Sequence, residues 1–216
     1  MWLVTIVVMM TVVPSIRGDC PAVDPKCECR GVDIIFCKDL GDVSRVPQFK
    51  HSNTVYDKLE ISGKTKLSTV PTGSFNGLKV KEIRLENIGI TAIQAGAFSD
   101  LNDTLEILYL DLNQLETIPE DAFQGINLLK TLWLHNNRLK TLSYALVQNK
   151  PHLESLTLYG NPLECDCRLA WVRKMAHMMS ADHTALCASP PPVEGSRVVV
   201  YDISMCAATT TETGIS

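Results

Sequence analysis

The sequence lacks a basic stretch: no segment is rich in lysine and arginine, and the formal charge is −4. That excludes the cationic stripe needed to grip a nucleic acid or an acidic membrane surface. It also lacks a glycine-rich phosphate loop, a nucleophile elbow and any pair of histidines at metal-binding spacing. Hydrolytic and phosphoryl-transfer chemistry therefore have no recognisable machinery, and we expect a non-enzyme with no cofactor and no bound metal. Long apolar runs are missing beyond the amino terminus. The one apolar segment, Trp2 to Val13, is too short to span a bilayer and has the length of a secretory leader's core. Cleavage after Ser15 or Gly18 is expected, although no Lys or Arg precedes the apolar core. The Thr-rich residues 207–216 have no apolar end of the kind a lipid anchor requires. These features together predict a secreted, extracellular chain without a membrane anchor.

Cysteine is absent from the middle of the chain and concentrated at its ends. Cys20, Cys27, Cys29 and Cys37 stand at the front, and Cys165, Cys167, Cys187 and Cys206 at the back. An even number in an exported chain reads as disulfides. Cys165-Asp-Cys167 has two other readings. Zinc could recruit Cys165, Cys167 and Cys187 with His177 or His183, and a redox pair could use the two adjacent thiols. Both kinds of site usually take a C-x-x-C spacing, which this sequence does not contain, so two stapled ends are preferred.

The middle repeats itself. The pairs Leu59-x-Ile61, Ile83-x-Leu85, Leu108-x-Leu110, Leu132-x-Leu134 and Leu156-x-Leu158 follow one another at spacings of 24, 25, 24 and 24. An apolar residue stands three before each pair, at Tyr56, Val80, Leu105, Leu129 and Leu153. Others recur on the return path at Ile93, Ile118 and Leu142 and at Phe98, Phe123 and Val147; the first coil has Val70 and Phe75, displaced by one residue near Lys66. A single such coil cannot bury its own leucines, but a stack of them makes a continuous core. Asn113, Asn137 and Asn161 follow the strands, where an amide can satisfy buried backbone groups of neighbouring turns. Lys64 and Ile88 interrupt that ladder, so the first two coils are the irregular ones. They are expected to be the less stable stretch or to lean on the amino-terminal cap.

The pattern LxxLxLxxNxL resembles the leucine-rich repeat. The front cysteines, and at the back Asn161-Pro-Leu-x-Cys165-Asp-Cys167-x-Leu-x-Trp171 with Cys187, Pro190-Pro-Pro-Val-Glu-Gly195 and Cys206, resemble the cysteine-rich flanking modules of extracellular leucine-rich-repeat proteins. Slit-like ligands, receptor ectodomains, variable lymphocyte receptors and secreted arthropod proteins such as the luciferase non-catalytic subunit are similar in this respect. An anchored stalk, usual in the lymphocyte receptors, is missing from this sequence. The resemblance implies an α/β leucine-rich-repeat solenoid of about five repeats, with a curved parallel sheet and a disulfide-stapled cap at each end. It also implies the bridges Cys20–Cys29, Cys27–Cys37, Cys165–Cys187 and Cys167–Cys206. The expected organisation is a leader over 1–18, a cap over 19–52, repeats over 53–160, a second cap over 161–206 and a flexible tail over 207–216. In the second cap, Leu169, Trp171, Val172, Met175 and Met179 have helical spacing and should pack a short helix over the last coil.

Strand alternation turns the residues between and after the leucines towards the concave face. Charge dominates the first coils there, with Lys58, Glu60, Glu82, Arg84 and Glu86. The later coils offer Ile107, Tyr109, Asp111, Leu112, Trp133, His135 and Tyr159, an interface-like mixture of aromatic, apolar and polar groups. Arg84, Glu86 and these seven residues are the expected ligand contacts. His135 is expected to be a solvated polar residue, and any proximity of Asp111, His135 and Thr157 to be a chance of the repeat. Asn102-Asp-Thr104 is the one glycosylation sequon, ahead of the third strand. The expected partner is an extracellular protein ligand. The alternative is a structural or carrier role, in which the chain stabilises another secreted protein as its non-catalytic subunit.

Overall fold

A computed structural model describes residues 20–31, 33–179 and 185–200. The expected leader, Cys206 and the expected tail lie outside the described residues. Each apolar pair of the repeat forms a short strand, and the strands join one sheet of seven. In chain order they are β1 (Cys27–Arg30), β2 (Ile34–Lys38), β3 (Tyr56–Ser62), β4 (Val80–Arg84), β5 (Ile107–Tyr109), β6 (Thr131–Trp133) and β7 (Ser155–Thr157). The sheet follows the chain order; β2 to β7 are parallel, while β1 pairs antiparallel with β2. This is a leucine-rich-repeat solenoid with a disulfide-linked cap at either end.

Ile35, Leu59, Ile83, Leu108, Leu132 and Leu156 lie in register across the sheet. None is more than 1% exposed, so each contributes on the order of 1.5–3 kcal/mol relative to an exposed side chain. Ile35 belongs to the amino-terminal cap, which continues the core one rung beyond the five sequence repeats. On the return path Phe75, Phe98 and Phe123 form a spine, with ring centroids 5.3 and 5.8 Å apart. Val147 is buried in the next coil.

Asparagine ties the coils together. The Asn113 amide donates to the carbonyls of Leu85 and Leu110, and its oxygen accepts from the backbone N–H groups of Ile88 and Ile90. Asn137 does the same between Leu110, Leu134 and Leu115, and Asn161 between Leu134, Leu158 and Leu139. These bonds satisfy backbone groups that would otherwise be buried and unpaired. In the first coil Thr65 stands in, one residue after Lys64. Its hydroxyl donates to the Ser62 carbonyl at 2.8 Å and accepts from the Leu40 N–H at 3.0 Å. The inserted residue thus moves the polar tie by one position. Ile88 makes no such tie and is buried instead.

One left-handed residue follows each strand from β2 to β7: Asp39, Gly63, Asn87, Leu112, Asn136 and Gly160. At Gly160 an added Cβ would meet the side-chain amide of Asn136, which would have to move to admit it. Leu112 is the unusual member, at φ 56° with a γ-branched side chain.

The caps close the two ends. Cys20–Cys29 and Cys27–Cys37 staple the front, where Cys27 and Cys37 face each other across the β1–β2 hairpin. Cys165–Cys187 staples the back, and Cys167 is also disulfide-bonded; its expected partner Cys206 lies outside the described residues. The cap helix spans Cys167–Met178 and is wound as 3₁₀ throughout. Leu169, Val172, Met175 and Met178 recur every third residue, which stacks them on one face of a three-residue turn. Leu169 and Val172 are fully buried, and the Trp171 indole N–H donates to the Leu142 carbonyl at 3.1 Å.

Candidate functional site

Three rows of side chains cross the outer face of the sheet. Register aligns Lys58, Glu82, Ile107, Thr131 and Ser155 in one row, and Phe36, Glu60, Arg84, Tyr109, Trp133 and Thr157 in the next. The third row follows the strands with Glu86, Asp111, His135 and Tyr159. Parallel pairing at a constant repeat length brings equivalent positions side by side, so residues one coil apart touch.

Contacts along these rows are continuous. The Arg84 guanidinium lies 4.2 Å above the Tyr109 ring. Tyr109 meets Trp133 edge to face at 4.6 Å, Trp133 meets His135 at 5.5 Å, and His135 stacks on Tyr159 at 4.3 Å. Such pairs are worth about 0.5–1.5 kcal/mol each beyond their buried area. They lock the rings into a preformed surface. Ile107, Tyr109, Trp133 and Tyr159 remain partly exposed, and Leu112 is exposed at 41%.

Two of the expected contact residues are placed differently. Asp111 and His135 are buried, at 2% and 7% exposure. Strand alternation does turn them outward, but Trp133 and Tyr159 are bulky enough to close over His135. His135 is therefore a support for the aromatic row, not a solvated surface residue. It does join Asp111 and Thr157. Its Nδ1 lies 2.9 Å from the Thr157 hydroxyl and its Nε2 3.4 Å from the Asp111 carboxylate. Burial pushes the Asp111 carboxyl up to about 6; Glu86 adds to the effect, while a backbone hydrogen bond and Arg84 oppose it.

The charged end of the face is internally paired. Lys58 bridges Glu60 at 2.8 Å, and Arg84 bridges Glu82 at 3.2 Å and Glu86 at 3.6 Å. Pairing across the face is nonetheless incomplete. Four buried side-chain polar atoms among the described residues lack a hydrogen-bond partner, and three of them lie on this face: Arg84 Nε, Asp111 Oδ1 and Trp133 Nε1. Buried polar atoms are nearly always bonded in folded proteins. These three lie beneath the row of rings, closed off from solvent, and no sequence signal announced them. Asn102, the sequon asparagine, is exposed on the return path beside a short 3₁₀ turn over Ser99–Leu101. Among the described residues there is no cluster of metal-ligating side chains and no helix long and apolar enough to cross a membrane.

Comparison with known proteins agrees with this architecture. The leucine rich repeat family matches residues 79–132 and 103–163. Chondroadherin of Mus musculus is 36% identical over 102 residues, covering 47% of this chain and 28% of that protein. Chondroadherin of Homo sapiens is 36% identical over 104 residues with the same coverage, 47% and 28%. The leucine-rich repeat and fibronectin type-III domain-containing protein 4 of Rattus norvegicus is 35% identical over 98 residues, covering 42% of this chain and 15% of that protein. The matched region thus spans less than a third of the length of each of these relatives. None of the names these matches carry denotes an enzyme. The chain carries leucine-rich repeats between cysteine-rich caps and is similar, over about half of its own length, to part of chondroadherin.

Proposed function

We propose that this chain is an extracellular recognition protein that binds a protein ligand through the aromatic half of its concave face. The observation that carries the reading is the continuous row from Arg84 through Tyr109, Trp133 and His135 to Tyr159, held rigid by contact between neighbouring coils. Aromatic groups held rigid beside polar ones form the usual centre of a protein interface, because they lose little side-chain entropy on binding. Ile107 and Leu112 extend the apolar area, Arg84 and Glu86 form the polar rim, and Asp111 and His135 act from beneath. A secreted location is supported by the disulfides and by the extracellular relatives. Within that location, Asn102 carries an N-linked glycan. Its place on the return path keeps the glycan off the recognition face. Protein from a secreting cell should shift on a gel after N-glycan removal, and an unshifted band would refute the assignment.

The deciding experiment is affinity capture from native extracellular extract, with the mature protein beside a Tyr109→Ala/Trp133→Ala variant of matched melting temperature. Capture of one defined protein by the first and not by the second is the expected result. Equal capture by both would refute the face. A partner that elutes with the unmodified chain at fixed stoichiometry, without challenge, would favour the structural-subunit alternative.

A further inference from the structure

A second feature lies away from the recognition face, between the last coil and the carboxyl-terminal cap. An open cavity of about 720 Å³ separates the segment Val147–Leu153 from the cap helix, a volume within the ~300–1,000 Å³ of small-molecule sites. Val147 and Leu153 form its buried apolar floor. Met175 and Met178 line the opposite wall, brought to one side by the three-residue turn of the 3₁₀ helix. Thioether side chains adapt their shape to an apolar guest.

The charge of this cavity is what sets it apart. Lys150 lines it at only 7% exposure, and its ammonium has no hydrogen bond or ion pair among the described residues. Burial alone lowers the Lys150 pKa, with no carboxylate to oppose it. Lys174 and His177, one helical turn apart, add positive or protonatable groups at the rim. No Asp or Glu is among the described lining residues, in a chain that has 24 acidic side chains against 20 basic ones. The Lys150 stem is buried while its ammonium opens to the cavity without a counter-charge, so a ligand anion there would supply the missing partner.

We propose that this cavity binds an apolar-tailed carboxylate of the fatty-acid class, with the carboxylate at Lys150 and the tail between Met175, Met178, Val147 and Leu153. Lys174 and His177 steer the anion to the mouth. The site is independent of the concave face, so either assignment can fail without the other.

Decanoate, decylamine and decanol serve as probes in calorimetric titrations of the disulfide-intact chain. One decanoate per chain should bind saturably, with decylamine and decanol at least tenfold weaker. Lys150→Met keeps the stem and removes the charge, and it should weaken decanoate at least tenfold without lowering the melting temperature. Should that variant melt early, reductive methylation of the unmodified protein gives a second readout. Decanoate should protect Lys150 from methylation and leave exposed lysines such as Lys66 unaffected. Decanoate that fails to saturate, binds no better than decylamine, or leaves Lys150 methylation unchanged would overturn the proposal.

Discussion

The two halves of the outer face use their polar groups in opposite ways. Over β3 and β4 the charged groups bridge one another, Lys58 with Glu60, and Arg84 with Glu82 and Glu86, although Arg84 Nε itself is left without a partner. Across β5 to β7 the rings pack against one another, while Trp133 Nε1 and Asp111 Oδ1 stay unpaired. A partly exposed ion pair has spent most of its capacity on its neighbour and contributes little more on binding. A rigid aromatic row keeps partly exposed apolar area that its neighbours have not covered. The difference teaches that exposure alone does not mark a binding surface; rigid aromatic area does.

Four measurements would break or sharpen that comparison. The largest effect is expected on affinity for the captured ligand. Tyr109→Ala/Trp133→Ala should cost about 4 kcal/mol, near a thousandfold, as two central hot spots do. Lys58→Ala/Glu60→Ala on the paired half should stay within about 1 kcal/mol, and equal losses in a binding titration would erase the contrast. Next comes the ladder. Asn137→Ala strands the Leu115 N–H and the carbonyls of Leu110 and Leu134, so we expect about 3 kcal/mol of lost stability in urea unfolding. Thr65→Val in the first coil should cost about half that, because it makes two bonds. A cost for Thr65→Val as large as that for Asn137→Ala would show that the irregular coils depend on their ties as much as the regular ones.

A pH series tests the buried carboxylate. The folded-state pKa of Asp111 is about 6, above its ordinary value of 3.8. The folded chain therefore holds the extra proton between those values, and stability falls as pH rises through them. Asp111→Asn should remove that slope and be more stable than the unmodified protein by about 2 kcal/mol at pH 7.5, with the gap closing near pH 4. Urea midpoints at the two pH values check this, and a gap that does not change with pH would mean the carboxylate is not strained by burial. Smallest is Leu112→Asn. The left-handed backbone suits asparagine, as Asn87 and Asn136 show at equivalent positions. A gain of about 1 kcal/mol in stability with a loss of ligand affinity is expected, and a loss of stability would show that the Leu112 side chain is needed for packing.

Much of the fold was legible because repetition multiplies a weak signal. Leu59, Ile83, Leu108, Leu132 and Leu156 fall into register as their spacing predicts, and Asn113, Asn137 and Asn161 bind the backbone of neighbouring turns. Three features escaped for separate reasons. Ile35 extends the core from a cap strand that carries no repeat signature. Thr65 replaces asparagine one position late, because an insertion shifts the turn without shifting the strand. Asp111 and His135 lie at outward positions yet are buried, since alternation gives a direction and says nothing of what the neighbouring rings cover. The cap helix was expected from its apolar spacing, but its period is three, and that smaller turn is what aligns Met175 with Met178.

The antiparallel strand β1 has a bearing on assembly. Every other strand of the sheet runs in one direction, so a bare first coil would offer a second molecule's last coil a matching parallel edge, and copies could add head to tail without limit. β1 reverses the polarity of that end and is held there by Cys20–Cys29 and Cys27–Cys37. The hairpin that completes the core thereby also gives the two edges of the sheet different polarity, so an incoming copy would meet an antiparallel edge at one end and a parallel one at the other.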